Sequence, residues 1–220
     1  MHNIILMGSY HADKGNCNHT ELLRIIENIK PDVIFEEKPS LYYDFYYKDK
    51  TRSCLESDAI NLYLENNSLI QILVDDEVIL PENSKYLYEQ IEKRSGNYRN
   101  LIDTNSYRVS KYGFKYLNSV DYLNYHQVLE NEIEETLKFI NNDKLFLIRK
   151  AWLEWEEKRD NEMMKKIYNY SKSNNYNIGI FLVGAAHRAS IIKKIPVYNT
   201  KESKTLNWNY SEYEDINKRK

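Results

Sequence analysis

Apolar residues follow two rhythms along this chain. Short continuous runs, such as Ile4-Ile5-Leu6-Met7 and Val33-Ile34-Phe35, read as buried strands over Asn3–Met7 and Asp32–Phe35. The same pattern predicts strands over Leu69–Val74 and Ile178–Val183, with a weaker strand over Thr205–Tyr210. Between the strands the spacing changes to three and four. Leu22, Leu23, Ile25, Ile26 and Ile29 predict a helix over His19–Ile29 that Lys30-Pro31 ends. Helices are also predicted over 55–64, over 120–140 (Leu123, Val128, Leu129, Ile133, Leu137), over 145–170 and over 189–194. Pro81 opens a polar helical stretch, Gly96 and Gly113 punctuate the region beyond it, and the aromatic run Leu41–Tyr47 fits no single element. Strand, helix, strand in so short a span implies parallel pairing through a right-handed crossover. The expected fold is α/β: one domain over residues 1–220, a mainly parallel sheet with flanking helices. A helical middle region, about 84–170, packs beside or over the carboxyl edge of the strands.

Composition narrows the class. A chain of 220 residues, 42% hydrophobic and 29% charged, has the make-up of a soluble globular domain with a real core. A net charge of -2 supplies no basic excess for phosphates, so no nucleic-acid partner is expected. The N-terminus lacks a basic region and a long apolar segment, and no run approaches the ~20 apolar residues of a membrane span. Cys17 and Cys54 fit neither a disulfide framework nor a zinc motif and read as free thiols in a reducing, cytoplasmic setting. The abundant tyrosines read as half-buried amphipathic residues rather than a stacking platform.

Candidate chemistry lies where the strands stop. Gly8-Ser9-Tyr10-His11 follows the first strand and Gly184-Ala185-Ala186-His187 follows the fourth. With 6 Gly and 5 His in the chain, a chance G-x-x-H is expected well under once. Parallel strands point their carboxyl ends to one side, where open α/β sheets build their sites. His11 and His187 should therefore meet there with Glu36 or Glu37 and with Asp75 or Asp76, although these two aspartates, followed by Glu77, read slightly better as turn residues. Glu36 directly follows the apolar run and is the preferred inward carboxylate, since the period of two sends Glu37 to the other face. Two histidines and a carboxylate form a common divalent-metal set with a position left for water. The metal ligands would be His11, His187 and Glu36, for Zn, Mn, Co or Fe. Gly8 and Gly184 let the chain turn sharply and let a ligand approach the backbone. Arg188 is placed to bind an anionic group, to cap the next helix or to face solvent. Arg159, in Glu157-Lys158-Arg159-Asp160-Asn161-Glu162-Met163, reads from its charged neighbours as a solvated helix face. His19 is read as a helix-start residue, His126 as exposed and His2 as a frayed end. The chain contains no Walker A, G-x-G-x-x-G, H-E-x-x-H or G-x-S-x-G, which disfavours a kinase, a dinucleotide enzyme and a serine α/β-hydrolase.

Taken in order, four segments resemble the TraB/Tiki superfamily with its ChaN-like and erythromycin-esterase-like relatives. They are Gly8-Ser9-Tyr10-His11, Lys30-Pro31-Asp32-Val33-Ile34-Phe35-Glu36, Lys158-Arg159-Asp160-Asn161-Glu162-Met163 and Leu182-Val183-Gly184-Ala185-Ala186-His187. The resemblance brackets most of the chain. Asp160 departs from it, standing where the pattern often has Asn. It implies a metal-dependent hydrolase of an amide or ester bond acting on a small molecule or peptide, with His11, His187, Glu36 and Arg159 as catalytic residues. Arg159 would steady a carboxylate or a developing oxyanion. Without metal, an esterase-like variant with one histidine as general base is implied. The alternatives are a non-catalytic regulatory or ligand-binding protein using the same crevice, in one version holding haem through Tyr10 or a histidine, and a structural relative that keeps the residues as remnants.

Overall fold

The computed structural model describes residues 2–76, 79–202 and 205–210. Five strands, β1 (Asn3–Ser9), β2 (Val33–Pro39), β3 (Ile70–Asp75), β4 (Ile178–Gly184) and β5 (Asn207–Asn209), form one sheet in the order β3-β2-β4-β1-β5. Every pairing is parallel. The helices are α1 (His19–Ile29), α2 (Leu55–Leu64), α3 (Ser84–Arg94), α4 (Gly96–Leu117), α5 (Val120–Ile140), α6 (Asp143–Ser173) and α7 (Arg188–Lys201). The fold is thus the α/β class that the strand and helix rhythms imply. Among the described residues, no helix is long and apolar enough to cross a membrane.

Strand alternation divides the core. Ile5, Met7, Ile34, Ile180 and Leu182 face one way, onto Leu22, Ile25 and Ile26 of α1, Ala59 and Ile60 of α2, and Phe114 and Leu117 of α4. Ile4, Leu6, Phe35, Phe181 and Val183 face the other way, onto Met163, Met164 and Ile167 of α6 and Ile191 and Ile195 of α7. A smaller cluster, including Leu87, Ile133 and Leu145, joins α3, α5 and α6. Burying both faces explains why the strands read as unbroken apolar runs.

This winding fixes where a site can form. From β1 the chain passes to α1 on one face, whereas from β4 it passes to α7 on the other. β1 and β4 are neighbours, with Ser9 opposite Gly184. Their departing segments diverge and open a crevice at the carboxyl edge, the switch point of a doubly wound sheet.

Several elements differ from the sequence reading. β2 continues through Glu36, Glu37 and Lys38 to Pro39, because each of those charges finds a partner inside the fold. The 40–48 stretch makes a 3-10 turn and then a single π turn. Gly113 kinks α4 with φ 53°, and a Cβ there would lie 2.4 Å from the Asn16 carbonyl oxygen, so glycine is required. α7 runs on past Pro196 to Lys201 rather than stopping at 194. His2 is buried instead of frayed: its ring stacks on Tyr176 at 4.0 Å and its Nδ1 meets the Tyr176 carbonyl oxygen. His19 does open α1, tied to Asp13. Cys17 and Cys54 are free thiols. Glu77 lies outside the described residues.

Candidate active site

Two histidine–carboxylate pairs face each other across the switch point. On the α2 side, the Nδ1 of His11 lies 3.0 Å from Glu56 Oε1, which also accepts the Ser9 hydroxyl at 2.5 Å. Glu56 is buried on the second residue of α2, while the His11 side chain is 60% exposed. On the α6 side, the Nδ1 of His187, largely shielded, lies 2.6 Å from Oδ1 of the buried Asp160.

Glu37 links the two halves. Its Oε2 accepts the Gly184 N–H at 2.6 Å, and its Oε1 accepts Arg159 Nη2 at 2.6 Å and lies 3.2 Å from His187 Nε2. A Cβ on Gly184 would lie 3.2 Å from both Glu37 Oε2 and His11 Nε2. The missing side chain at 184 therefore makes the room in which His11 and Glu37 converge. Gly8 serves a different need, since its Cβ would stand 2.5 Å from Arg188 Cδ. Asn118, fully buried after α4, fixes the Gly8 backbone by bonding both its N–H and its carbonyl oxygen.

The inward carboxylate is Glu37 and not Glu36. Glu37 shares the face of Phe35, from which α6 and α7 bring Arg159 and His187. Glu36 shares the face of Ile34, where Lys38 Nζ (3.1 Å), the Tyr47 hydroxyl and Gln71 surround its buried carboxylate. Period-two alternation holds, but adjacency to the apolar run did not tell which face carries the site. Asp75 is also more than a turn residue. It is buried at the end of β3 and grips Arg159 through Nε (3.3 Å) and Nη2 (2.6 Å), while Asp76 holds Lys166. Arg159, far from a solvated face, is largely shielded between these carboxylates with its guanidinium 4.6 Å from the Trp155 ring centre.

The charges set the proton positions. Burial disfavours a cation at His187, but its bonds to Asp160 and Glu37 outweigh that and raise its pKa to about 10. Burial would push Glu37 and Glu56 up. Instead, His187, His11 and Arg159 hold Glu37 well below the usual carboxylate range, and His11, Lys38 and Ser9 do the same for Glu56. The bond to Glu56 raises His11 above 6.5, against the opposing effect of burial. With His187 an imidazolium, the 3.5 Å approach of Arg159 Nη1 to its Nε2 is two donors side by side rather than a hydrogen bond.

The remaining candidates lie apart from this centre. Arg188 is fully buried and donates to the carbonyl oxygens of Leu117 and Tyr210 at 3.2 and 3.4 Å, and burial lowers its pKa to about 10. It reaches neither solvent nor the crevice cavity. Tyr10 stands at the rim, with the Lys14 ammonium 5.4 Å from its ring centre. His126 is not exposed as expected; it lines a cavity of about 400 Å³ beside His187. Of the axial-ligand candidates for haem, Tyr10 and His11 do not line that cavity, whereas His126 and His187 do.

A divalent metal would need free donors within this cluster. Among the described residues, no group of three or more His, Cys, Asp and Glu side chains is arranged to hold a metal ion. Glu36 is committed to Lys38, Tyr47 and Gln71. His187 spends both ring nitrogens on carboxylates, and an imidazolium has no lone pair to donate. Glu37 already accepts Gly184 and Arg159. As they stand, the residues do not fit the group, and no step is derived through it. Compared with protein-family models, with curated proteins and with solved structures, the chain matches none.

Proposed function

We propose that the protein hydrolyses an ester or amide bond at this crevice, with His11 as general base. The observation that carries the reading is the posture of His11. Its Nδ1 is engaged by a buried carboxylate, and its Nε2 converges with Glu37 Oε2 on the space that the absent Gly184 side chain leaves. A carboxylate behind imidazole fixes the tautomer and stabilises the imidazolium once a proton arrives. Glu37 and Glu56 are held too acidic to serve as bases, whereas His11, with a raised pKa, is suited to proton transfer near neutrality.

The chemistry then balances on the chain's own residues. Water attacks the carbonyl carbon and yields its proton to His11 Nε2, with Glu56 accepting the Nδ1–H throughout. The carbonyl π electrons move to oxygen, and Arg159 Nη1 is the cationic donor offered to that oxygen, with the positive charge of the His187 imidazolium beside it. Collapse of the adduct breaks the C–O or C–N bond, and His11 returns the proton to the leaving group. Glu37 and Asp75 hold Arg159 in place and offset its charge before substrate binds. The TraB/Tiki resemblance supports the same reading, because its segments supply His11, Arg159 and His187, with Asp160 as this chain's departure. A cytoplasmic setting, with two free thiols, belongs to the same proposal.

The test is the pH dependence of kcat/KM on p-nitrophenyl esters for the wild type and Glu56→Gln. The wild type should show a rate that rises with pH through a pKa above 6.5, since only neutral His11 accepts a proton. Glu56→Gln should be slower, with that limb moved to lower pH. A limb unmoved by the substitution counts against His11 as the base. Tight ligand binding without turnover on ester and amide panels would favour the ligand-binding alternative.

A further inference from the structure

The cavity beside His187 is lined from three helices, α5, α6 and α7, and its charged residues are nearly all committed to one another. Asp160 holds His187, Glu130 holds Arg149 and Glu157 holds Lys194. His126 is kept toward its neutral form by burial. Lys193 is exposed, where water screens its charge. Glu156 differs from all of these. It is half-buried in the α6 wall, and no hydrogen bond or ion pair joins it to another described residue. It stands one helical turn before Asp160, hence about 6 Å along the same face. A desolvated, unpaired carboxylate one turn from the reactive centre gains from a cation arriving with the substrate.

We infer that this cavity seats an ammonium-bearing arm of the substrate against Glu156, so the substrate class is a small amine-containing ester or amide. The volume, about 400 Å³, lies within the ~300–1,000 Å³ of small-molecule sites. Leu123, Leu153, Ala186 and Ala189 supply apolar wall for the carbon chain that carries the amine. Burial, joined by Glu130 and Asp160, raises the Glu156 pKa against the opposing charges of His187 and Arg149, so an ammonium also relieves the remaining cost of its charge. The inference rests on the hydrolase reading for the word substrate, but the cation preference of the cavity stands or falls separately.

The first probe is therefore binding. Dansylcadaverine, which carries a primary ammonium, is compared with its N-acetylated, neutral form by fluorescence titration. The wild type should prefer the cation by at least about tenfold, the scale of one charge-assisted hydrogen bond. Glu156→Gln should abolish the preference while leaving the thermal midpoint unchanged. The second probe is hydrolysis of p-nitrophenyl 6-aminohexanoate against p-nitrophenyl hexanoate. Wild-type kcat/KM should favour the aminohexanoate, and Glu156→Gln should level the two. Equal affinities, no binding of either dansyl probe, or a preference that survives Glu156→Gln would overturn the inference. Selective binding with neither ester hydrolysed would refute the hydrolase and leave the cation site. Hydrolysis without selectivity would refute the cation site and leave the hydrolase.

Discussion

Replacing Glu37 by Gln tests the network at its hub. The substitution keeps the shape of the side chain and removes the charge facing His187 and Arg159. His187 has a pKa of about 10 against an ordinary 6.5, and two carboxylates hold it there against burial. One opposite charge at such range moves a pKa by about 1–3 pH units. Glu37→Gln should therefore lower the His187 pKa by about one to two units, with Asp160 sustaining the rest, at about 1.4 kcal/mol per unit. Glu36→Gln should leave His187 unmoved, because Glu36 pairs with Lys38 on the other face. The assay is a pH titration of the histidine ring resonances by NMR, with His187→Gln to assign them. Stability responds with a definite sign. A pKa raised in the folded state stabilises it fully below the unfolded value, and the benefit fades as pH rises through the folded value. Wild-type stability in urea should thus decline between about pH 6.5 and 10. Glu37→Gln should show a smaller decline. A His187 that titrates near 6.5 in the wild type, or that shifts with Glu36→Gln and not with Glu37→Gln, would refute the reasoning.

Other expectations come from single contacts. Asn118→Ala strands the buried N–H and carbonyl of Gly8 and should cost about 1–3 kcal/mol in urea denaturation. Gly184→Ala adds a methyl against His11 and Glu37. It should cut kcat/KM by about tenfold or more, because a small misplacement of reacting groups is costly, while changing stability by no more than about 1–3 kcal/mol. Arg159→Lys keeps a charge but loses the fork that grips Asp75 and Glu37. Its activity should fall by about a hundredfold, and kcat should fall more than KM rises if Arg159 meets the oxyanion rather than the bound substrate.

Much of this arrangement was legible in the sequence for a physical reason. Strands buried on both faces leave unbroken apolar runs, and the paired G-x-x-H marks the two strands at which the winding reverses. The choice between Glu36 and Glu37 was not legible. Alternation separates them, but which face receives Arg159 and His187 depends on where α6 packs. The carboxylates behind the histidines did leave a signal. Glu56 stands in register with Ala59, Ile60 and Tyr63, and Asp160 with Met163, Met164 and Ile167, so each is a charge inside the buried stripe of its helix. A charge in such a position needs a partner. Asp75 left a weaker trace, because a strand-end aspartate has the same local sequence whether it turns the chain or holds a shielded arginine.

The most direct test of the central claim is ester hydrolysis by chelator-treated protein, wild type beside His11→Gln, before and after addition of Zn, Mn or Co. The account expects activity in the stripped wild type, no stimulation by metal, and a loss of about a hundredfold or more in His11→Gln, whose largely exposed ring leaves the fold intact. Activity that appears only with added metal, or that survives His11→Gln, would contradict it.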